Sequence, residues 1–307
     1  MKIAVMGAGG QGGLFGGLLW RAGEDVTLIE RGPHLEAIKS RGLTLKTAGP
    51  KTFTVDVAAT DDARAVGPVD LLLFCVKMYH LEAAALDARP MVGPDTVILT
   101  VQNGIAAPDR LGEIFGREKV LGGVSYHQGA VEEPGAISYG RVRGKLYLGE
   151  LAGGTSPRAE SVGSTLDDAG IDTEVHTNIR LAMWRKFVLI CATGGVLAYY
   201  RKPVGPVLDD PEGRALLLGV MEEVESVARA RGIDLPGATA KSTLAFIEDN
   251  SSPDTRSSQL EDLLAGRRLE LEWLNGEVIR LGRELGLPTP LNRRVYEALQ
   301  EYAGGLA

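Results

Sequence analysis

The sequence predicts an α/β protein, with a doubly wound parallel sheet in an N-terminal domain and an all-helical C-terminal domain. Three observations lead to this prediction. Short apolar segments alternate with helical segments from Met1 to Val101, as in a parallel sheet covered by helices on both faces. The segment Asp70 to Val76 (DLLLFCV) is continuously apolar, which is typical of a fully covered strand. Beyond Thr177 the apolar periodicity is helical throughout.

The first strand and the loop after it carry the strongest local pattern. Lys2 to Met6 is an apolar strand, and Gly7, Gly9 and Gly12 follow at G-x-G-x-x-G spacing. The first glycine permits a sharp turn, the second lets a pyrophosphate approach the backbone, and the third lets the next helix pack closely. This context favours a dinucleotide-binding (Rossmann) domain over a merely structural turn. We expect the cofactor to be held by Gly7, Gly9, Gly10, Gln11 and Gly12.

The remaining elements are predicted in chain order. In the first domain we expect helices over 14–22, 33–41, 79–89 and 156–169, and strands over 25–29, 42–46, 51–57, 70–76, 96–101 and 172–176. Short antiparallel strands over 120–149 are expected to extend the sheet. In the second domain we expect helices over 177–193, 196–201, 211–231, 236–249, 256–265, 267–286 and 290–302. The predicted domains are 1–177 and 178–307, in line with a prior of ~150 residues per domain.

Three polar segments follow predicted parallel strands and therefore project from one edge of the sheet, where ligands of such folds bind. They are Glu30-Arg31, Lys77 and Gln102-Asn103-Gly104. An acidic residue after the second strand favours the ribose hydroxyls of NAD, whereas an arginine there accommodates the 2′-phosphate of NADP. Glu30 and Arg31 are adjacent, so the residues leave both cofactors open.

Composition excludes some classes of function. The 307 residues carry a net charge of −7 with dispersed basic residues, which argues against nucleic-acid binding. Cys75 and Cys191 lie in apolar runs and are expected to be buried free thiols in a reducing cytosol. The four histidines are too widely spaced for a metal site. With no secretory signal and no run of about 18 apolar residues, we expect a cytoplasmic protein without a membrane span.

Two charged residues of the helical domain stand out among apolar neighbours. Lys186 has apolar residues one and two turns away on its predicted helix, and burial of an ammonium is costly unless something compensates for it. It is therefore a candidate proton donor with a lowered pKa, although its stem could lie along the core with the charge in solvent. Glu270 also has apolar neighbours, with a surface pair to Arg267 as the alternative. Ser258 and Glu270 would lie on different sides of one unbroken helix, so the helix must be interrupted near Gly266 if both contact one ligand.

The sequence resembles the ketopantoate reductases (2-dehydropantoate 2-reductases) over nearly its whole length. The motifs that carry the resemblance are GAGGQG at 7–12, VKMYH from Val76, QNG at 102–104, NIRLAMWRKF at 178–187 and SSQLEDLLAGRRLELEWLNG at 257–276. The last two are far more specific than the glycine loop. The resemblance implies a dinucleotide-binding domain followed by a helical domain, with a small-molecule 2-keto acid substrate reduced by NADPH or, alternatively, NADH. The oligomeric state stays open, and a homodimer is one option.

Residue roles follow from the resemblance position by position. Lys186 matches the catalytic lysine that donates a proton, and Glu270 matches a glutamate that orients the substrate and the lysine. Asn103 matches a residue that binds both cofactor and substrate, and Ser258 matches a substrate-binding serine. Arg31 and Lys77 match cofactor-binding residues, and Arg31 favours NADPH. A hydride that reaches a carbonyl carbon leaves negative charge on oxygen, which a neighbouring ammonium stabilises and protonates.

Three positions depart from the family pattern and keep the substrate open. Ile190, Gly194 and Thr255 stand where we expect asparagines. Reduction of ketopantoate to pantoate, in pantothenate synthesis, is therefore the family default. The alternative on the same scaffold is an NAD-dependent D-2-hydroxy acid dehydrogenase with an apolar substrate, which Glu30 and Ile190 favour. A non-catalytic dinucleotide sensor is a third hypothesis, which Lys186, Asn103 and Glu270 argue against.

Overall fold

The computed structural model describes residues 1–47, 52–140 and 144–305, and the chain forms two compact units. The first unit comprises Met1–Gln102 and Ala106–Arg180, and the second comprises Asn103–Ile105 and Leu181–Ala307. The segment Asn103–Ile105 thus groups with the helical unit, although it follows a strand of the sheet. The domain boundary at 177/178 remains a prediction, and the last two residues of the second predicted domain lie outside the described residues.

The first unit carries the strands and five helices, counted over the part of the chain that the structure describes. Its strands are β1 (Lys2–Met6), β2 (Asp25–Ile29), β3 (Leu43–Thr47), β4 (Thr52–Val55), β5 (Ala58–Thr60), β6 (Leu71–Phe74), β7 (Val97–Thr100), β8 (Val120–Ser125), β9 (Gly129–Glu133), β10 (Ala136–Tyr139), β11 (Leu146–Glu150) and β12 (Thr173–Val175). Its helices are α1 (Gly10–Arg21), α2 (Gly32–Arg41), α3 (Leu81–Ala88), α4 (Ala107–Phe115) and α5 (Pro157–Asp168).

The main sheet has the order β12-β11-β8-β7-β6-β1-β2-β5 among the described strands. Its neighbours pair in parallel, except for the antiparallel pair of β8 and β11. Strand β1 lies between β2 and β6, so the winding direction reverses there. That reversal creates the crevice in which doubly wound folds bind ligands. The predicted fold class, an α/β sheet domain with a helical C-terminal domain, is confirmed.

A second sheet, with the order β4-β3-β10-β9, corrects the expectation that all strands of 120–149 extend the main sheet. Its position follows from glycines on α1. An added Cβ at Gly16 would overlap Leu28 of the main sheet, whereas one at Gly17 would lie 2.8 Å from Leu45 Cδ1 in the second sheet. Helix α1 is therefore buried between two sheets, and its glycines face both of them rather than one.

Other elements of the first unit differ from prediction at their ends. The predicted strand 51–57 is β4 over Thr52–Val55, and Lys51 lies outside the described residues. The edge strand β5 was not predicted, because three residues carry too little periodicity. The predicted helix 79–89 begins as a 3₁₀ turn at Met78–His80 before α3. Cys75 and Cys191 are free thiols, and burial raises the pKa of both.

The second unit is helical throughout its described part. After α6 (Ile179–Tyr200), which starts at the end of the first unit, it contains α7 (Val204–Leu208), α8 (Pro211–Ala230), α9 (Thr239–Asn250), α10 (Ser258–Leu264), α11 (Asn275–Leu285) and α12 (Pro290–Leu299). Two predictions were wrong. Helices 177–193 and 196–201 are one helix, α6, and the predicted helix 267–286 is non-helical up to a 3₁₀ turn at Leu271–Trp273.

Helix α6 bears on the expectation that the chain has no segment able to span a membrane. By length and composition it could, because an 18-residue window has a mean hydropathy of 1.5. The sequence does not show this as one apolar run, because Arg185 and Lys186 interrupt it. In the structure 61% of that window is buried inside the protein, as in a core helix that is apolar on all sides.

Candidate active site

The glycine loop has the geometry that a pyrophosphate needs. Gly7 has a φ of +93°, and an added Cβ would lie 2.8 Å from Val76 Cγ1, so only glycine fits the turn. An added Cβ at Gly12 would overlap the carbonyl oxygen of Gly7, which is the close packing expected of the third glycine. At Gly9, by contrast, nothing described lies within 4 Å of an added Cβ. The backbone is therefore open to a ligand at the middle glycine.

Gly10 and Gln11, also predicted to hold the cofactor, begin α1. An added Cβ at Gly10 would overlap the carbonyl of Gly129 at the start of β9. This glycine is thus required for the approach of the second sheet, a role that the sequence did not suggest. Gln11 is half-buried in the first turn of the helix. The N–H groups of this turn can still bind an anion, since the first four of a helix lack intrahelical partners.

Two side chains clamp the Ala8 peptide inside the glycine loop. The Ala8 N–H donates to Glu30 Oε2 at 2.8 Å, and the Ala8 carbonyl lies 3.0 Å from His34 Nε2. The Gly135 N–H donates to His34 Nδ1, so the proton of the neutral imidazole is assigned to Nε2, which donates to Ala8. Glu30 also accepts from the Arg31 N–H at 3.0 Å. The Glu30 carboxylate is therefore engaged with the loop.

Arg31 and Lys77 lie at the carboxyl edge of the sheet with the loop. Met6 is in register with Ile29 on β2 and with Phe74 on β6, so Gly7 and the residues that follow those strands share one edge. Arg31 is exposed at the N-cap position of α2, and Lys77 is half-buried just before the 3₁₀ turn. The edge thus presents two cations beside the loop, as an anionic dinucleotide requires.

In the helical unit, α6 carries Lys186 to a polar cluster. The Lys186 ammonium donates to Asn103 Oδ1 at 2.7 Å. Burial lowers the pKa of Lys186 from 10.5 to about 8, and the negative charge of Glu270 opposes that shift. Desolvation disfavours the ammonium more than the carboxylate favours it. The result is an acid that exchanges its proton near neutral pH.

Asn103 reaches Lys186 because the chain turns sharply after β7. Gly104 has a φ of +96°, which side chains rarely tolerate, and an added Cβ would lie 3.2 Å from the Trp273 carbonyl. The tight approach of Trp273 thus requires glycine in the Gln102-Asn103-Gly104 motif. It also explains why this segment groups with the helical unit.

Glu270 lies in the segment between α10 and the 3₁₀ turn, and not on a helix as predicted. Helix α10 ends at Leu264, and the chain then changes direction at Gly266, which has a φ of +66°. Glu270 is only 7% exposed, and the Arg267 side chain donates to Asp262 Oδ1 at 2.7 Å instead of pairing with Glu270. The alternative of a surface pair with Arg267 was therefore wrong. The break supplies the change of direction that one helix could not.

Ser258 forms no hydrogen bond with this cluster in the described structure. It is exposed as the first residue of α10, and its side chain makes no hydrogen bond to any described residue. The neighbouring Ser257 caps the helix by accepting from the Leu260 N–H at 3.2 Å. Thr255, where we expected an asparagine, is also exposed.

A buried amide network behind α6 was missed at the sequence level. Asn275 Nδ2 donates to the Cys191 carbonyl at 3.2 Å and to Asn292 Oδ1 at 3.0 Å, and Asn292 donates to Glu223 at 2.8 Å. An added Cβ at Gly195 would lie 2.5 Å from Asn275 Oδ1. The signal in the sequence was one asparagine on the apolar face of each of two amphipathic helices, α11 and α12. The network fixes the helix that carries Lys186.

The described residues thus provide two kinds of chemistry. The first unit offers a glycine loop with free backbone donors and neighbouring cations, which fits a dinucleotide. The second offers an ammonium of lowered pKa held by an amide oxygen and influenced by a buried carboxylate. An acid of this kind can protonate an oxygen that gains negative charge.

Comparisons with known proteins agree with this chemistry. Residues 3–153 match the family model "Ketopantoate reductase PanE/ApbA", and residues 178–303 match "Ketopantoate reductase PanE/ApbA C terminal". A 2-dehydropantoate 2-reductase of Pyrococcus horikoshii is 32% identical over 95% of this chain and 94% of its own. A PanE/ApbA family ketopantoate reductase of Ralstonia eutropha has a TM-score of 0.91 and 34% identity, covering 99% of this chain and 98% of its own.

A more distant structure shares the fold alone. It is a D-mandelate dehydrogenase with NADH and anilino(oxo)acetate, with a TM-score of 0.91 and 24% identity, covering 99% of this chain and 98% of its own.

The two family models together account for both units of the chain, and the similarity to the reductases extends over nearly its full length. The chain is thus an NAD(P)-dependent oxidoreductase that reduces a 2-keto acid, and the hypothesis of a non-catalytic sensor is set aside. It belongs to the ketopantoate reductase family.

Proposed function

We propose that the enzyme reduces 2-dehydropantoate to pantoate with NADPH, in the cytoplasm, as a step of pantothenate synthesis. The observation that carries the proposal is the hydrogen bond of 2.7 Å between the Lys186 ammonium and Asn103 Oδ1, with Lys186 at a pKa of about 8. Relatives named 2-dehydropantoate 2-reductase support the substrate.

The glycine loop and its neighbours would hold the cofactor. Gly9 leaves the backbone accessible, and the N–H groups at the start of α1, including those of Gly10, Gln11 and Gly12, are suited to the pyrophosphate. Lys77 lies at the same edge and would add positive charge. When bound, the nicotinamide supplies a hydride to the keto carbon.

Lys186 would donate the proton in this reaction. The keto oxygen gains negative charge as its carbon is reduced, and an ammonium beside it stabilises that charge and transfers a proton. Asn103 orients the ammonium by accepting one of its hydrogens. The Glu270 carboxylate keeps the lysine protonated at a higher pH than burial alone would allow. Ser258 remains a proposed substrate ligand on the strength of the resemblance.

The hydrogen bonds that the Glu30 carboxylate already makes support NADPH, and not NADH, as the cofactor. In a domain that selects NAD, the acidic residue after the second strand binds the ribose hydroxyls. Here both Glu30 oxygens accept backbone hydrogens, from Ala8 and Arg31. The exposed Arg31 guanidinium is then the group available to the 2′-phosphate.

A panel of 2-keto acids with both cofactors tests the proposed function. We expect the largest kcat/KM with 2-dehydropantoate and NADPH. A second candidate is an NADH-dependent D-2-hydroxy acid dehydrogenase for apolar substrates, which the half-buried Ile190 favours, one turn beyond Lys186. Brisk reduction of branched or aromatic keto acids beside negligible rates on 2-dehydropantoate would establish that candidate instead.

Substitutions at Arg31 and Glu30 should separate the two cofactors. Arg31→Ala is expected to raise KM for NADPH by about tenfold or more, through loss of a charged contact to phosphate, and to leave KM for NADH within about twofold. Glu30→Gln should raise KM for NADPH and for NADH to a similar degree, because it weakens the hydrogen bond that holds the Ala8 N–H. Improved selectivity for NADPH over NADH in Glu30→Gln would mean that Glu30 does select the ribose.

A further inference from the structure

A buried glutamine that plays no part in the chemistry above lies beside α6. Gln259 follows Ser258 on α10 and is 3% exposed. Both its Oε1 and its Nε2 are buried and have no hydrogen-bond partner among the described residues. Buried amides are nearly always hydrogen-bonded, because an unsatisfied polar group loses its interactions with water and gains nothing in return. The protein thus retains a side chain that lowers its stability.

The Gln259 amide lies beside Gly194 on α6. An ideal Cβ built on Gly194 would lie 4.0 Å from Gln259 Nε2 and 3.8 Å from Gln259 Cβ. The same Cβ would lie 3.5 Å from Leu274 Cδ1. Because Gly194 has no side chain, the amide has space to rotate toward α6.

Gly194 lies on the side of α6 that carries Lys186. Ile190 and Gly194 follow Lys186 by one and two turns, and at ~100° per residue the three positions span about 80° of the helix circumference. The Gln259 amide is therefore next to the same side of the helix as the ammonium, displaced toward its C-terminal end.

We propose that Gln259 determines substrate specificity by hydrogen-bonding the polar end of the 2-keto acid, the end remote from the reacting carbonyl. The inference rests on the proposed function and deepens it. An amide has two donors and an acceptor, so it can both donate to and accept from a hydroxyl. Gln259 thereby supplies the polar partner that Ile190 and Gly194 do not.

This proposal changes the expected substrate preference. A site with a buried amide rejects substrates that lack a polar partner for it, because they leave the amide unsatisfied. Ile190 and Gly194 by themselves favour an apolar substrate. Gln259 instead favours a keto acid that carries a hydroxyl.

The substitution Gln259→Met tests this assignment, because it keeps the length of the side chain and removes its polar atoms. We expect kcat/KM for 2-dehydropantoate to fall by about tenfold or more, mainly through KM. The value for 3-methyl-2-oxobutanoate, which lacks the hydroxymethyl group, should stay within about twofold. The melting temperature should rise by about 2–6 °C, because two unsatisfied atoms are removed.

Gly194→Ala provides an independent variant that should fold, since alanine favours helix over glycine and its methyl group would make ordinary contacts. It obstructs rotation of the amide and should reduce kcat/KM selectively for 2-dehydropantoate. Gln300→Met, at an exposed position, is the matched control and should leave kcat/KM for both substrates unchanged.

The outcomes separate this inference from the function on which it rests. If the unmodified enzyme reduces no 2-keto acid, the proposed function fails. If it reduces both substrates and neither variant changes their ratio, Gln259 has only a structural role and the inference is overturned, whatever the change in melting temperature.

Discussion

Replacing Lys186 with alanine is expected to lower kcat for 2-keto acid reduction by about 10²-fold or more and to leave the Kd of the cofactor within about twofold. The loss reflects the missing proton donor, since general acid catalysis contributes about 10²–10⁴-fold. Cofactor binding should persist because the glycine loop, Arg31 and Lys77 belong to the other unit of the chain. Steady-state kinetics and a fluorescence titration with NADPH measure the two quantities.

Lys241→Ala is the matched control, because Lys241 is exposed on α9 in the same unit. It should retain full activity. If Lys186→Ala reduced every keto acid that the unmodified enzyme reduces, with undiminished kcat, another group would have to donate the proton.

The second large effect concerns pH. Reduction requires the protonated lysine, so with a pKa of about 8 for Lys186 the rate should be level below that pH and should fall about tenfold per unit well above it. Oxidation of the 2-hydroxy acid requires the neutral amine and should show the opposite dependence. The midpoint belongs to the complex that is measured, so kcat should be followed at saturating substrate.

Glu270→Gln should move this midpoint to lower pH. The Glu270 carboxylate raises the pKa of Lys186, and its removal leaves desolvation unopposed, so the ammonium loses its proton sooner. We expect kcat to fall by about 3–10-fold at pH 8 and much less at pH 6, where both enzymes are protonated.

Glu301→Gln, an exposed carboxylate in the same unit, is the control and should leave the pH profile unchanged. A uniform loss of kcat at every pH in Glu270→Gln, with no shift of the midpoint, would mean that Glu270 acts on the substrate and not on the charge of Lys186.

The first unit could be predicted largely from local patterns. β1 and the glycine loop were recognised because buried parallel strands are continuous apolar runs and a pyrophosphate loop needs glycine at set positions. The second sheet was not predicted, although its strands were. Which sheet a short strand joins depends on the partner that covers it, and here that choice follows from glycines on two faces of α1.

The helical unit shows the same limit. The predicted helices 177–193 and 196–201 leave a break at residues 194–195, yet α6 runs through it without interruption. Glycine is required at Gly195, because an added Cβ there would lie 2.5 Å from Asn275 Oδ1. The apolar neighbours of Glu270 mark it as a candidate site residue, but the predicted helix 267–286 is not helical at Glu270, which precedes a 3₁₀ turn. Nothing in the sequence distinguishes Gln259, because a lone glutamine near a helix start is typical of a surface residue.

The sequence by itself determined the class of the fold, the family and the residue types available for chemistry, because periodicity, glycine spacing and motifs are local properties of the chain. Only the tertiary structure decided that Lys186 meets Asn103, that Glu30 is hydrogen-bonded by the Ala8 N–H, and that the Gln259 amide has no partner within the described part of the chain. Each of these depends on burial and on atoms far apart in sequence. Desolvation and hydrogen bonding act through space, so the pKa of a lysine or the satisfaction of an amide follows from packing and not from spacing along the chain.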